Sequence, residues 1–307
     1  MSDIDLLDAG ILKRLEGYRL VRQRPVFGHP GGILRSLQKG GAVEFADYRE
    51  YTPGDEPRRV DWRAYARLRR LYVKEFLDER QQTTLLLIDA SASMDWSGAN
   101  GHAHKGRYAL QIAAGLGTCL LAGNDRLVII CAGGEETGKG VGWKISPAFK
   151  SRTALPGLWS FLKTVAFGGS AGMAAGLRNA LKLLRGVKSL YVFSDLYDLS
   201  AEQEMFHLAA GHGMEATVFH ILSPEEKEPA GDGEYLLLDA ETGARIEITL
   251  SPAAYLAYSR RLEFFQQEVD NCCRCWGVQR VSLNSGEAAA DTLFKTLPRA
   301  GVLKPKG

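Results

Sequence analysis

The chain has 307 residues, of which 45% are hydrophobic and 24% charged, and this composition excludes a fibrous or intrinsically disordered protein. Its 38 basic and 36 acidic side chains give a net charge of +2, which is too small to indicate nucleic acid or anionic lipid as the general partner. The longest apolar stretch, 109–123, is too short to span a bilayer, and the acidic first residues do not resemble a signal peptide. We therefore expect a cytoplasmic protein without a membrane span.

The predicted elements change in character near residue 80. Apolar side chains at helical spacing predict a helix over residues 3–24. A Gly- and Pro-rich stretch follows over 25–41, and then a segment over 44–79 in which charged and aromatic residues are frequent. Beyond residue 83, strands alternate with amphipathic helices. Strands are predicted at 83–88, 126–131, 142–145 (a sheet edge), 189–193, 215–222 and 279–283, with a hairpin of 236–239 and 245–249. Helices are predicted at 107–122, 154–164, 173–184, 253–272 and 288–297, and a capping box at 200–203 opens a further one.

This alternation predicts a doubly wound α/β fold of the Rossmann-like class, with a mainly parallel sheet covered on both faces. We expect an N-terminal helix and an Arg-rich, β-containing segment over 1–80 and the α/β domain over 81–300. A hairpin insertion near 232–250 and a tail at 301–307 complete the predicted organisation. Ligands bind such sheets at the carboxyl ends of the strands, so the loops after Ile88, Cys131 and Phe193 are the places to seek function.

The five cysteines do not form a recognisable metal motif. Cys119 and Cys131 lie in apolar runs, whereas Cys272, Cys273 and Cys275 fall within four residues. A structural zinc site needs four ligands, usually as two separated pairs, and the sequence has no second pair. Reduced thiols in a cytoplasmic protein are the favoured interpretation.

One glycine-rich segment, 133–140, nearly matches a phosphate-binding loop. Its last position must be a serine or threonine that binds Mg²⁺, and Gly140 stands there. The residues that follow are not helical, although the phosphates would need a helix N-terminus. The pattern therefore favours an ordinary loop.

A second motif, 168–172, fits the Gly-x-Ser-x-Gly pattern of α/β-hydrolases. Ser170, Asp195 and His220 then follow in the chain order of a hydrolase triad. His220 lies inside an apolar run, however, and a triad histidine needs a loop to reach the serine. A serine hydrolase is the alternative function.

Polar side chains follow the strand at 83–88 at alternate positions. Asp89, Ser91 and Ser93 can converge above the end of a parallel strand, although residues of these types also cap helices. The Asp-x-Ser-x-Ser segment resembles the metal-ion-dependent adhesion site of von Willebrand factor A-type domains. This resemblance implies that Ser170, where relatives usually have threonine, and Asp195 complete the site.

Two carboxylates and three hydroxyls suit the octahedral oxygen shell of Mg²⁺, and Mn²⁺ accepts the same ligands. An ion held this way can take one more carboxylate, from a partner protein. The set contains no general base or activated nucleophile, so we expect binding rather than catalysis.

The upstream segment 44–67, with 71–76 and 238–243, resembles the bacterial family called domain of unknown function 58. The resemblance covers roughly residues 25–300 and implies an adaptor that works with a MoxR-type AAA+ ATPase or its client in a chaperone-like or complex-assembly role. Partner-binding candidates are Arg58, Arg59, Arg63 and Arg67. The basic stretch 58–74 also carries three aromatic residues, which gives single-stranded nucleic-acid binding as a less favoured alternative.

Overall fold

The computed structural model describes residues 6–21, 45–51, 69–76, 83–98, 104–134, 142–170, 172–184, 186–229, 233–239 and 244–306, together with residues 60, 62, 65 and 67. Contacts divide the chain into two units, Met1–Gly28 with Thr83–Gly307, and His29–Gln82. The sequence-based division at 80/81 joined the first residues to the Arg-rich segment, whereas in the structure they group with the larger unit.

The described strands are β1 (Tyr18–Leu20), β2 (Phe45–Glu50), β3 (Tyr72–Phe76), β4 (Thr83–Ala90), β5 (Arg126–Gly133), β6 (Trp143–Ile145), β7 (Phe149–Lys150), β8 (Val187–Ser194), β9 (Glu215–Leu222), β10 (Gly233–Leu238), β11 (Arg245–Leu250), β12 (Gln279–Asn284) and β13 (Leu303–Pro305).

The described helices are α1 (Ala9–Leu15), α2 (Lys105–Ala122), α3 (Leu155–Lys163), α4 (Met173–Leu183), α5 (Leu199–Gly211), α6 (Pro224–Lys227), α7 (Pro252–Cys275), α8 (Ala289–Asp291) and α9 (Leu297–Arg299). A π-helical turn, Thr292–Thr296, joins the last two. In the part of the chain that is described, no helix is both long and apolar enough to cross a membrane.

The central sheet of the larger unit has seven strands, in the order β12-β9-β8-β4-β5-β6, with β7 beside β6 on the free edge of β5. The first five strands of this order pair in parallel, and β6 and β7 pair antiparallel to β5. The predicted mixed α/β architecture with a mainly parallel sheet is confirmed, and the strand expected at 142–145 does lie at the edge.

The sheet is covered on both faces, which explains why β4 reads as an uninterrupted apolar run. Every residue of β4 is buried. Leu86 and Ile88 pack on one face with α1, α2 and α3, whereas Leu85 and Leu87 pack on the other with α4, α5 and α7. Because β4 is held from both sides, the residues at its carboxyl end have fixed positions.

Two local predictions were wrong. The helix expected over 3–24 ends at Leu15, and Tyr18 begins β1, which pairs antiparallel with β13 at the predicted tail. The turn between α1 and β1 contains Gly17, and glycine has the lowest helical propensity of all residue types except proline. The capping box at 200–203 is also wrong, because α5 begins one residue before Ser200 and Asp198 is its N-cap.

The smaller unit contains an antiparallel pair. Strands β2 and β3 pair with Glu50 opposite Tyr72, and their register shifts between Phe45 and Asp47. The Trp62 and Tyr65 rings meet edge to face, with centroids 6.3 Å apart.

Candidate metal centre

Two buried carboxylates lie at the carboxyl ends of neighbouring strands. Asp89 is the penultimate residue of β4, and Asp195 directly follows β8. The two strands run in parallel with Ile88 opposite Phe193, so both acidic residues leave the sheet at the same edge. Each residue is 2% exposed. The structure therefore brings together the two acidic residues of the predicted site, away from bulk water.

The carboxylate of Asp89 is held in a fixed orientation. Its Oδ1 accepts a hydrogen bond from the Ser91 amide at 2.9 Å, and its Oδ2 accepts one from the Ser194 hydroxyl at 2.7 Å. Burial, and then the charge of Asp195, raises the pKa of Asp89 to about 6. A nearby cation would therefore stabilise the charged form of Asp89.

The two serines of the motif lie side by side. A 3-10 turn over Ala92–Met94 follows Ser91, and the Oγ atoms of Ser91 and Ser93 are 3.0 Å apart. Adjacent oxygen ligands of an octahedral Mg²⁺ ion, at its usual bond length, are separated by about 2.9 Å. The two hydroxyls are hydrogen-bonded to each other, at a distance that is also the spacing of neighbouring ligands in such a shell.

The loop that carries Ser170 is fastened to the serine turn through its backbone. The Gly168 amide donates to the Ala90 carbonyl, and the Ala92 amide donates to the Gly169 carbonyl, both at 2.9 Å. Gly133, at φ +111°, is needed beside them, because a Cβ there would lie 2.5 Å from the backbone carbon of Ala90. Ser170 itself is exposed. The predicted hydroxyl therefore lies on a loop bonded to the motif, at the solvent side.

A buried lysine that the sequence analysis missed contacts the centre. Lys105 is fully buried, and its Nζ donates to Asp195 Oδ2 at 2.8 Å and to Glu226 Oε1 at 2.6 Å. Burial lowers the pKa of Lys105, but the charges of Asp195 and Glu226 outweigh burial and the pKa is raised overall. The Tyr197 ring centroid lies 5.3 Å from the ammonium. Lys105 is consequently a permanent positive charge inside the centre.

Both partners of this ion pair had a signal in the sequence. The helix was predicted to begin at Arg107, so Lys105 was left outside, although a basic residue that leads into an apolar helix opposes the helix dipole and needs a partner. Ser223 and Glu226 have the spacing of a capping box and form one at the start of α6. That pattern fixes the Glu226 carboxylate near the end of β9.

The charges of the centre do not balance. Asp89, Asp195 and Glu226 together carry three negative charges when ionised, and Lys105 supplies one positive charge. Glu202, on α5, is 3% exposed, and its Oε2 atom has no hydrogen-bond partner among the residues that are described. Burial, followed by the charges of Asp89 and Asp195, raises the pKa of Glu202 well above its usual value, which favours its neutral form. The remaining excess is two negative charges, which one divalent cation neutralises.

The donor set fits Mg²⁺ or Mn²⁺. Carboxylate and hydroxyl oxygens are the ligands that these ions prefer, and the 3.0 Å hydroxyl spacing and the charge excess both suit one ion. Among the residues that the structure describes, no group of three or more His, Cys, Asp or Glu side chains is arranged to hold a metal. The candidate centre differs from such a group because hydroxyls supply three of its five predicted ligands.

His220, the third member of the alternative triad, lies in a different environment from Ser170. It is fully buried within β9, and its Nδ1 accepts a hydrogen bond from Arg280, which also pairs with Asp270 at 2.7 Å. Burial, followed by the charge of Arg280, lowers the pKa of His220 to about 3. A general base must reach the serine hydroxyl and accept its proton, and this environment makes His220 a weak base.

Other residues with charged or metal-ligating side chains have contacts or positions outside the proposed ligand set. Asp198 accepts hydrogen bonds from the Ser200 hydroxyl and the Ala201 amide, so it is a helix cap. All five cysteines are free, and those at the end of α7 are divided between the core (Cys272 and Cys273) and the surface (Cys275). Arg67 is exposed in the smaller unit. The remaining arginines of the predicted partner surface, Arg58, Arg59 and Arg63, and most of 133–140 lie outside the described residues.

Comparison with known proteins gives a family match and distant relatives. The family described as "Protein of unknown function DUF58" matches residues 47–266. Uncharacterised proteins from Mycobacterium tuberculosis and Mycobacterium bovis are 26% identical over 291 residues, which cover 92% of this chain and 87% of each relative.

Two solved structures resemble parts of the chain at low scores. The conserved hypothetical protein BatB from Bacteroides thetaiotaomicron matches with a TM-score of 0.41 and 14% identity, over 71% of this chain and 98% of that one. The pilus adhesin SpaC from Lactobacillus rhamnosus GG matches with a TM-score of 0.33 and 13% identity, over 73% of this chain and 31% of that one.

Proposed function

This chain belongs to the family described as Protein of unknown function DUF58, and we propose that it is a non-enzymatic, Mg²⁺-dependent protein-binding adaptor. The observation that carries the proposal is the convergence of Asp89, Asp195 and the paired Ser91 and Ser93 hydroxyls at one edge of the sheet, with an excess of negative charge. This arrangement supports an adhesion site of the kind found in von Willebrand factor A-type domains, and we assign the larger unit to that fold.

Asp89, Ser91, Ser93, Ser170 and Asp195 would hold the ion, Mg²⁺ or Mn²⁺. When bound, the ion supplies an electrophilic coordination position for a carboxylate of a partner protein. Groups of the chain itself fix the ligand oxygens. The Ser194 hydroxyl and the Ser91 backbone amide orient Asp89, and the Lys105 ammonium orients Asp195. None of these contacts activates a nucleophile, which is why the proposal is binding and not catalysis.

The proposed partner is a MoxR-type AAA+ ATPase or its client, and the proposed role is chaperone-like or in complex assembly. This part of the proposal rests on the family resemblance. Because all five thiols are free, we propose the reducing cytoplasm as the location.

The test is affinity capture from a lysate of the source bacterium, read by mass spectrometry, with Mg²⁺ or with EDTA. The variant Asp89→Asn removes a proposed ligand charge. Asp95→Asn is the matched control, because Asp95 is exposed and pairs with His104 instead. We expect an AAA+ ATPase to be retained by the wild type and by the control in Mg²⁺, and to be lost in EDTA and with Asp89→Asn. If the ATPase is captured equally well in EDTA and by Asp89→Asn, the metal bridge is overturned.

The same preparation distinguishes the alternatives. Labelling of Ser170 by a fluorophosphonate would support a serine hydrolase. A salt-sensitive mobility shift of a single-stranded oligonucleotide would support nucleic-acid binding through the basic stretch 58–74.

A further inference from the structure

The ion pair of Lys105 with Glu226 touches the candidate metal centre at one point. The Lys105 ammonium bonds one oxygen of Asp195, Oδ2, at 2.8 Å and one oxygen of Glu226, Oε1, at 2.6 Å. Asp195 is thus shared between Lys105 and any ion bound at the centre, whereas Glu226 is bonded to the same ammonium and is not one of the predicted ligands.

Glu226 is fixed by contacts on its other side. Its Oε2 accepts a hydrogen bond from the Ser223 amide at 2.6 Å, and its own amide donates to the Ser223 hydroxyl at 3.2 Å. The Tyr258 hydroxyl, on α7, donates to the Glu226 carbonyl at 2.5 Å. The Ser223 amide therefore holds the Glu226 carboxylate directly, and the Ser223 and Tyr258 hydroxyls hold the Glu226 backbone beside the lysine.

Lys105 cannot move its charge away. Its side chain is fully buried, and its ammonium is bonded to two carboxylates. A buried charge without partners is strongly unfavourable, so the ammonium stays with these two groups as long as the fold persists. Two cations that share one carboxylate repel each other, and the effect is large where water is excluded.

We propose that Lys105 is a built-in counter-charge that weakens binding of a divalent cation at the Asp89–Asp195 centre, and that Glu226 offsets this effect by taking a share of the lysine's charge. The proposal rests on the proposed metal centre and adds its regulation: Glu226, which is outside the predicted ligand set, sets the affinity of the site. The β9–α6 turn and Tyr258 then become part of the metal-binding device.

Charge counting gives opposite directions for the two single variants. Lys105→Met removes the competing cation and leaves three carboxylates with no ammonium. Glu226→Gln removes a negative charge and leaves the lysine with Asp195 as its one ionised partner. Together, the two substitutions restore the original net charge.

The experiment measures binding of Mn²⁺ alone, from the electron paramagnetic resonance signal of the free ion, with Mg²⁺ as competitor. We expect Glu226→Gln to bind Mn²⁺ at least tenfold more weakly than the wild type and Lys105→Met at least tenfold more tightly. The double variant should return to within about threefold of the wild type. Glu228→Gln is the matched control, because it removes the same charge from an exposed residue two positions after Glu226, at the C-cap of α6, and its affinity should change less than twofold.

The outcomes separate the two proposals. If the wild type shows no saturable Mn²⁺ binding that Asp89→Asn removes, the metal centre itself is overturned, and this inference with it. If the wild type binds but Lys105→Met binds more weakly, Lys105 only orients Asp195 and the counter-charge is overturned. If Lys105→Met does not fold, as judged by circular dichroism, Glu226→Gln decides: an affinity equal to that of Glu228→Gln overturns the inference.

Discussion

Two buried polar clusters lie on adjacent strands of this sheet, and they differ in net charge. Ser194, whose hydroxyl orients Asp89 in the candidate metal centre, is the register partner of His220. Around His220, a neutral imidazole accepts from Arg280, and Arg280 pairs with Asp270. The His220 cluster is neutral by itself, whereas the acidic centre keeps an excess of two negative charges after Lys105 is counted.

The difference teaches that residue type and order are poor guides to a functional site. Ser, Asp and His occur in the chain order of a hydrolase, but the histidine is engaged in a balanced cluster inside the sheet. A buried cluster that remains charged after all its internal partners are counted requires something from outside. On that criterion the acidic centre, and not the His220 cluster, is the stronger candidate for a functional site.

The largest expected effect comes from removing the cation of each cluster in turn. In EDTA, Lys105→Met should lower the free energy of unfolding by about 3–5 kcal/mol, because it leaves the buried Asp195 carboxylate and the partly buried Glu226 carboxylate without their cation. Arg280→Met should cost about 1–3 kcal/mol, since it leaves the His220 nitrogen unsatisfied but Asp270 is partly exposed and stays solvated. Urea unfolding followed by circular dichroism measures both. Equal losses would contradict the difference between the clusters.

The pH dependence of stability should show that His220 is held neutral in the folded protein. The unfolded histidine takes up its proton near pH 6.5, whereas the folded one has a pKa of about 3. The free energy of unfolding should therefore fall as the pH decreases, and this group alone contributes about 3 kcal/mol between pH 6.5 and 4. Asp89 acts in the opposite sense, because its pKa is raised to about 6.

Comparison of the wild type with His220→Gln isolates the histidine, because the Asp89 contribution is common to both. Urea unfolding at each pH is the measurement. Parallel stability profiles for the two proteins would show that His220 is not held neutral.

Magnesium should stabilise the acidic centre alone. At a Mg²⁺ concentration 100 times the dissociation constant, the free energy of unfolding should rise by about 2.7 kcal/mol. His220→Gln should keep this gain and Asp195→Asn should lose it, as measured by thermal unfolding with Mg²⁺ or EDTA. A gain that survives Asp195→Asn would place the ion elsewhere.

The smallest expected effect concerns Asp198, the N-cap of α5, which lies three residues after the proposed ligand Asp195. Because its carboxylate accepts from Ser200 and Ala201, Asp198→Ala should cost about 1 kcal/mol of stability. Its Mn²⁺ affinity should equal that of the wild type. A weaker Mn²⁺ affinity of Asp198→Ala would indicate that Asp198 also takes part in holding the ion.

The fold was largely readable from the sequence, because its signals are local. The run at 83–88 is apolar on both faces, and the helix at 107–122 is apolar over most of its length, so each element is evident without its partners. The predicted boundaries differ from the observed ones by a few residues, and β4 extends two residues further to include Asp89 and Ala90.

The errors and omissions depend on contacts that the local pattern does not contain. The first helix stops at Leu15 because the following residues pair with β13, at the other end of the chain. Lys105 and Glu226 were missed because their pairing joins residues on α2 and α6, 121 positions apart. Asp89, Ser91 and Ser93 could be proposed from the sequence because they form one short motif, whereas no local pattern indicates that Lys105 and Glu226 pair with each other.

The strand order also determines how the chain can fold. Thr83 pairs with Val187, so β4 and its neighbour β8 are far apart in the chain. Strands β5 to β7 and helices α2 to α4 lie between them in sequence. Such distant pairing gives a high contact order and slow folding, and it leaves an apolar strand open to aggregation meanwhile. Asp89 and Asp195 meet only when β8 docks, so a cation would bind late on the pathway. Magnesium is then expected to slow unfolding and to leave the folding rate unchanged.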